Sequence, residues 1–269
     1  MKIYVLIFAV ICLASCKKAE EMRFDHSANV YFDIYNGDKD SIVRTFAYNP
    51  TLAQDTVWLP VRLSGVRTDV DRKFSARVDA DSSTATVGVH YEALKPQYSI
   101  LPNRGIGYIP VVIYNKDKKL ENRSVSILIK LTGTSDLGIE NPYLIRAKVV
   151  FSAKLEKPGW WDTWPLPPYS RTKHELFILV TAQTSLSTDG LDAPKNLYYI
   201  GLLTTMLNNP FNWVAKNEAK GYVIEEVTAG NTDSYYFYNK SNPAKKTLLR
   251  KNIQNGKYYF IDENGNEVI

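Results

Sequence analysis

Three tryptophans and a carboxylate crowd into five positions, Trp160-Trp161-Asp162-Thr163-Trp164. No other stretch of the chain gathers so many side chains able to hold a ligand. Flat indole faces stack on sugar rings, whose C–H edges meet the negative face of the π-system. On this reading Trp160, Trp161 and Trp164 form the platform and Asp162 accepts hydrogen bonds from sugar hydroxyls. The competing use is packing, since a buried aromatic ring removes roughly 150–250 Å² from water and the stretch sits between two differently patterned regions.

Catalytic and metal chemistry is harder to find. The histidines are His26, His90 and His174, spread over three segments, and no His-Glu-x-x-His or paired-cysteine spacing accompanies them. Gly-x-Ser-x-Gly is absent, and Gly133-Thr134-Ser135-Asp136-Leu137-Gly138 is one residue too long for a nucleophile elbow. Gly105-Ile106-Gly107 leads into Pro110 rather than a helix, so it is no phosphate loop. A glycosidase needs only two carboxylates at a set separation. Asp162, Glu225 and Glu226 are candidates, as are many of the 28 acidic residues. The expectation is a protein that is not an enzyme and needs no metal or cofactor.

The two cysteines carry the clearest message. Lys2 is a short positive segment, Ile3 to Leu13 is apolar, and Ala14-Ser15 precede Cys16. The apolar run is shorter than the ~20 residues needed to span a bilayer as a helix. Small residues closing such a run directly before a cysteine make a lipobox: a signal peptide over 1–15, with Cys16 as the lipidated first residue of the mature chain. Each buried methylene contributes about 0.8 kcal/mol, so two or three acyl chains anchor a soluble domain almost permanently. Cys12 leaves with the signal, and the mature chain then has no disulfide and no thiol nucleophile. Residues 16–27 read as a tether. Within it, Lys17-Lys18-Ala19-Glu20-Glu21 resembles the surface-export signal of Bacteroidota lipoproteins, interrupted by Ala19.

With 33 basic and 28 acidic residues, the formal charge is +5. The two signs are interspersed, which argues against nucleic acid as a partner. The 18 tyrosines and 5 tryptophans suit an envelope β-protein or a glycan-binding surface.

From about 28 to 156 the pattern has period two. Val57, Leu59, Val61 and Leu63 alternate with Trp58, Pro60 and Arg62. Ile109, Val111 and Ile113 repeat the alternation, as do Val125, Ile127, Ile129 and Leu131, then Ile145, Ala147, Val149 and Phe151. Ala28 to Ile34 reads as a first strand, with Asn36-Gly37-Asp38 turning it back into Ser41–Tyr48. Seven or eight such strands predict a β-sandwich over 28–156 with one buried face per sheet. A smaller α+β region over 157–269 follows the Lys157-Pro158-Gly159 turn. Thr172-Lys173-His174-Glu175 has capping-box spacing ahead of the apolar run 176–180, which predicts a helix at about 172–183 with a strand as the alternative. Lys195–Asn208 carries one apolar stripe and stops at Pro210. Beyond Gly221 come short extended pieces, with Asn264-Gly265 marking a hairpin turn.

Val78-Asp79-Ala80-Asp81, Ala85-Thr86-Val87-Gly88-Val89-His90-Tyr91, the strand at 109–113, Leu120-Glu121-Asn122-Arg123 and Ser126-Ile127-Leu128-Ile129 resemble Calx-beta and immunoglobulin-like β-sandwiches, which implies that fold for 28–156. Some of those bind calcium through acids. His90 replaces the usual Asp before the Tyr, and Arg123 replaces the second acid, so the resemblance implies the fold without the calcium site. The whole order of lipobox, sandwich, Trp-Trp-Asp, Arg171-Thr172-Lys173-His174-Glu175-Leu176-Phe177 helix and Glu263-Asn264-Gly265 hairpin resembles a family of Bacteroidota surface lipoproteins carrying a domain of unknown function. Such proteins often accompany starch-utilisation-type uptake systems. That resemblance implies a lipid anchor in the outer membrane facing the cell surface, a polysaccharide ligand and an outer-membrane transporter complex as partners, and a binding or accessory role. The alternatives are a structural docking or spacer module and an unrecognised glycoside hydrolase.

Overall fold

The computed structural model describes residues 27–34, 41–166 and 168–269. The expected signal peptide, Cys16, the tether up to residue 26 and the Asn36-Gly37-Asp38 turn lie outside the described residues.

The protein is mainly β, with a sandwich followed by a smaller α+β unit. One sheet of the sandwich has three antiparallel strands in the order β1 (Asn29–Phe32), β3 (Gln54–Ser64), β6 (Ile106–Tyr114). The other has five, in the order β2 (Ser41–Thr45), β8 (Arg146–Ser152), β7 (Val125–Thr132), β4 (Arg72–Val78), β5 (Tyr98–Ile100). Register aligns the alternating residues. Val57 pairs with Val111 and Leu59 with Ile109, all four fully buried, and Trp58 lies across from Pro110 on the outer face. Ile127, Ile129, Val149 and Phe151 close the same core from the facing sheet. Gly107 lets the sheets meet: a Cβ there would lie 3.0 Å from both the Phe74 ring and the Ser99 carbonyl oxygen.

One pairing departs from the sequence reading. β1 and β2 do not form a hairpin. β1 pairs with β3, whereas β2 crosses to the other sheet and runs parallel to β8, with Ile42 beside Val149. The crossing gives each sheet an added edge strand. Val30 and Phe32 fill the core from β1, and Ile42 packs against it from β2.

In the second unit, α1 (Arg171–Thr181), α2 (Ala193–Asn208) and α3 (Pro210–Asn217) precede an antiparallel meander. Its strands are β9 (Tyr222–Glu226), β10 (Ser234–Asn239), β11 (Thr247–Lys251) and β12 (Tyr258–Phe260), neighbours in chain order. The cap of α1 is Ser170, whose hydroxyl accepts the Lys173 N–H, not Thr172 as its spacing suggested. Thr172 sits inside the first turn because a second acceptor serves it. The Glu263 carboxylate, from the turn after β12, takes the N–H groups of Arg171 (2.6 Å) and Thr172 (3.0 Å). Two otherwise orphaned donors are thereby satisfied, with a negative charge at the positive end of the helix. Ala182 closes α1 in the left-handed region at φ 55°. The core here is aromatic, built from Trp160, Trp161, Phe177, Tyr222, Phe237 and Phe260. Ala47 and Leu155 of the sandwich join it, so the two units share a packed seam.

Candidate functional site

The tryptophan cluster faces inward. A 3-10 turn over Trp161–Thr163 is closed by Trp161 N–H to the Pro158 carbonyl (3.1 Å) and Thr163 N–H to the Trp160 carbonyl (3.1 Å). It directs both leading indoles onto α1. Trp160 is 7% exposed and Trp161 1%. Trp164 is half-buried, and its Nε1 donates to the Ser187 carbonyl (2.9 Å). Asp162 is exposed but pairs with Lys157 at 2.6 Å. The stacking platform expected of Trp160, Trp161, Asp162 and Trp164 is therefore not formed. Two of its rings are core, the third is tied to a loop, and the acid points elsewhere.

What those rings enclose is His174. Its ring lies 5.7 Å from Trp160, 5.1 Å from Trp161 and 5.8 Å from Tyr169. Neither ring nitrogen has a hydrogen-bond partner among the described residues. Burial pushes the imidazole pKa down to about 4, which keeps it neutral.

The other two features open to solvent. The first is a cleft where the sandwich meets the second unit. On the sandwich side, a 3-10 turn over Lys118–Glu121 is started by Asp117, whose side chain accepts the Lys119 N–H at 2.9 Å. Leu120 plugs into the core. His90 fixes the other Asp117 oxygen: its Nδ1 accepts the Thr86 N–H (2.8 Å), which leaves the proton on Nε2 to reach Asp117 at 3.0 Å. The Lys119 N–H foremost, with help from His90, holds the Asp117 carboxyl below its usual range. The His90 and Glu121 positions picked out in the sequence thus serve different ends. His90 anchors a loop, and Glu121 crosses the seam.

Glu121 meets Arg171 at 2.8 Å and Lys245 at 3.7 Å. Glu175 meets the same two cations, at 3.0 and 2.8 Å. All four side chains are nearly buried. Burial raises the Glu121 pKa against the pull of Arg171 and Lys245. Beside this four-charge clamp lies a cleft of about 380 Å³, lined among others by Lys116, Lys118, Lys246 and Tyr236. A second recess of about 300 Å³ continues it toward Glu263. Two desolvated carboxylates in a cleft invite a hydrolytic reading, but here each is neutralised by the same guanidinium and ammonium.

The second open feature is the outer face of the three-stranded sheet. Trp58 is 59% exposed and Tyr108 48%, their rings in edge contact at 6.4 Å. Pro60 lies across from Tyr108 and Pro110 across from Trp58. Arg62 pairs with Asp33 at 2.5 Å at one end of the patch. Strand alternation already sends Trp58 outward, so the signal for this face was present in the sequence as the parity of one tryptophan. The seam had no such signal, because Glu121, the helix that carries Arg171 and Glu175, Lys245 and Glu263 are four separate places in the chain.

Comparisons with solved structures give low overlaps. The chain is similar to CBD12 from CALX1.2, at 14% identity and a TM-score of 0.35, over 46% of this chain and 43% of that one. It is similar to a Bacteroides ovatus ATCC 8483 protein provisionally named a carbohydrate binding protein, at 15% identity and 0.36, over 48% and 38%. A protein of unknown function from Bacteroides ovatus aligns over 87% of this chain and 71% of its own, at 12% identity and 0.36. The chain thus spans less than half the length of the first two. Among curated proteins none matches. A family model described as "Domain of unknown function (DUF4843)" does match, over residues 24–183, more than half of the chain, and the protein belongs to that family.

Proposed function

We propose that this protein is a non-catalytic, lipid-anchored binding protein of the bacterial cell surface, an accessory component of outer-membrane glycan or nutrient uptake. The anchor is Cys16, read from Leu13-Ala14-Ser15-Cys16. The ligand surface is the sheet face at Trp58 and Tyr108, and the observation that carries the reading is the exposure of Trp58. A tryptophan left 59% exposed on the central strand of its sheet offers an indole face whose backbone is already ordered. Sugar rings stack on such a face, and the Arg62–Asp33 pair beside it supplies hydrogen-bonding groups.

The test is direct binding of the soluble chain, begun just after Cys16, to a broad panel of polysaccharides, read by tryptophan fluorescence and calorimetry. Saturable binding to one glycan class, lost in Trp58→Ala, supports the reading. Failure of every polysaccharide to bind sinks it and leaves the docking-module alternative, to be pursued by pull-down of membrane partners.

A further inference from the structure

We propose that the seam cleft is a second ligand site, selective for the anionic group of a small saccharide unit, a carboxylate or a sulfate ester, held by Lys116 and Lys118. The argument starts from charge. Four lysines line the cleft, Lys116, Lys118, Lys245 and Lys246, against two acids, Asp117 and Glu121.

Both acids are already engaged. Asp117 accepts from His90 and from the Lys119 N–H. Glu121 is shared by Arg171 and Lys245. Lys245 is likewise committed to Glu175, and Lys246 pairs with Glu225 at 3.2 Å. Lys116 and Lys118 remain: no carboxylate of the described residues lies within ion-pair distance of either, and the Lys116 ammonium rests instead over the Tyr114 ring at 4.2 Å. Lys118 acts on Glu121 only through space, and neither ammonium is closed off by an ion pair, so positive charge remains at the concave space, whose walls focus its field on an entering anion.

The cleft also has the shape for a ring. Its volume of about 380 Å³ lies in the range of small-ligand pockets. Tyr236 forms one wall as a half-buried aromatic surface with the Lys246 ammonium 5.1 Å from its centroid, and Asn115 is held in the lining by its amide N–H to the Leu52 carbonyl. The floor is rigid: the clamp pins the turn that carries Lys118 to α1, and the His90–Asp117 hydrogen bond fixes the loop between the two lysines. Lysine is a point charge without a planar fork, so it suits a carboxylate or sulfate oxygen in any orientation, with the aromatic wall left to fix the sugar. The saccharide part of this proposal rests on the glycan reading above; the anion selectivity rests on the cleft alone.

The experiment is a calorimetric titration of the soluble chain with three oligosaccharide sets of equal length, one bearing uronic acids, one sulfated and one neutral. It is run on the native sequence, on Trp58→Ala and on the double variant Lys116→Ala/Lys118→Ala. The expected result is binding of one anionic set, weakened at least tenfold in the double variant, unchanged in Trp58→Ala, and falling steeply with added salt. Which anionic set binds identifies the source of the charge. Neutral oligosaccharides bound as tightly as the charged sets, or anionic ones bound equally by the double variant, overturn the proposal. Binding of neutral sugar lost only in Trp58→Ala would leave the glycan reading standing and this site refuted. Both lysines are on the surface of a loop, and a thermal melt of the double variant matching the native chain shows that the fold is kept.

Discussion

Trp58 and the Trp160–Trp161 pair are the same chemistry in opposite settings. Trp58 sits mid-strand, where alternate residues face opposite sides, and Val57 and Leu59 beside it are fully buried. Its exposure follows from its neighbours. Trp160 and Trp161 sit in an irregular turn without a period, and both rings fold onto α1. Clustering made the second pair look like the ligand site, yet the isolated tryptophan is the one that meets solvent. An aromatic cluster beside a domain junction is first of all a means of joining the two units. An aromatic residue at an outward parity on a covered sheet has no packing task within the chain.

The sharpest way to break this contrast is Trp161→Ala. The side chain is 1% exposed and contacts Trp160, Tyr169 and His174. Its removal leaves a large cavity and is expected to cost about 4 kcal/mol of stability, seen as a lower midpoint in urea unfolding. A melting curve like that of the native chain would show that the ring is not a core element and would reopen the platform reading.

Next in size is the clamp. Glu121→Gln leaves Arg171 and Lys245 sharing Glu175 alone in a nearly buried setting. Removing one partner of such a network is expected to cost about 3 kcal/mol. The effect belongs to the seam, so it should appear as early exposure of the interface to a protease, ahead of global unfolding. Loss of less than half a kcal/mol would mean that the two units are held by Ala47, Leu155 and the aromatic core without help from charge.

These two regions were unequally legible. The sandwich strands could be read because burial on one face forces a period of two: Val57-Leu59-Val61, Ile109-Val111-Ile113 and Ala147-Val149-Phe151 all face the core. The partner of β2 was not legible, since Ser41–Thr45 buries little and its pairing is decided by which sheet has an open edge. β5, three residues long, is too short to show any period. In the second unit the helices Arg171–Thr181 and Ala193–Asn208 were found within two or three residues, but Pro210–Asn217 was missed, because Pro210 stops one helix and also opens the next. The first cap was misplaced because Glu263, 92 positions from Arg171, supplies the acceptor that makes Ser170 the better start. Apart from the i,i+4 pair Arg171–Glu175, the seam clamp is tertiary. No local pattern tells Glu121 that its cations will be Arg171 and Lys245.

The aromatic box around His174 gives a smaller effect with a definite sign. The folded pKa of about 4 lies below the 6.5 of an unperturbed histidine. Between those values the unfolded chain binds a proton that the native chain does not, so stability falls as pH drops from about 6.5 toward 4 and is flat above that window. At pH 5 the loss from this residue is about 2 kcal/mol. His174→Phe removes the titration and two unpaired nitrogens, so its stability should exceed that of the native chain at pH 5 by more than it does at pH 7.5. An identical difference at both pH values would show that the imidazole is already solvated.

The smallest expected stability change belongs to Trp58→Ala, and its smallness is the point. The ring is in edge contact with Tyr108, and the residue keeps more than half its surface in water. Surface replacements of this kind shift stability by about 0.5 kcal/mol or less. Part of even that comes from the strand preference of tryptophan over alanine. Replacing Trp58 by Thr keeps a strand-favouring residue and lowers the expected change further. If both variants melt like the native chain and bind polysaccharide no longer, the exposed tryptophan is there for a ligand. If Trp58→Thr lowers the unfolding midpoint as far as Trp161→Ala does, the outer face is covered in solution, and the difference between the two tryptophan settings disappears.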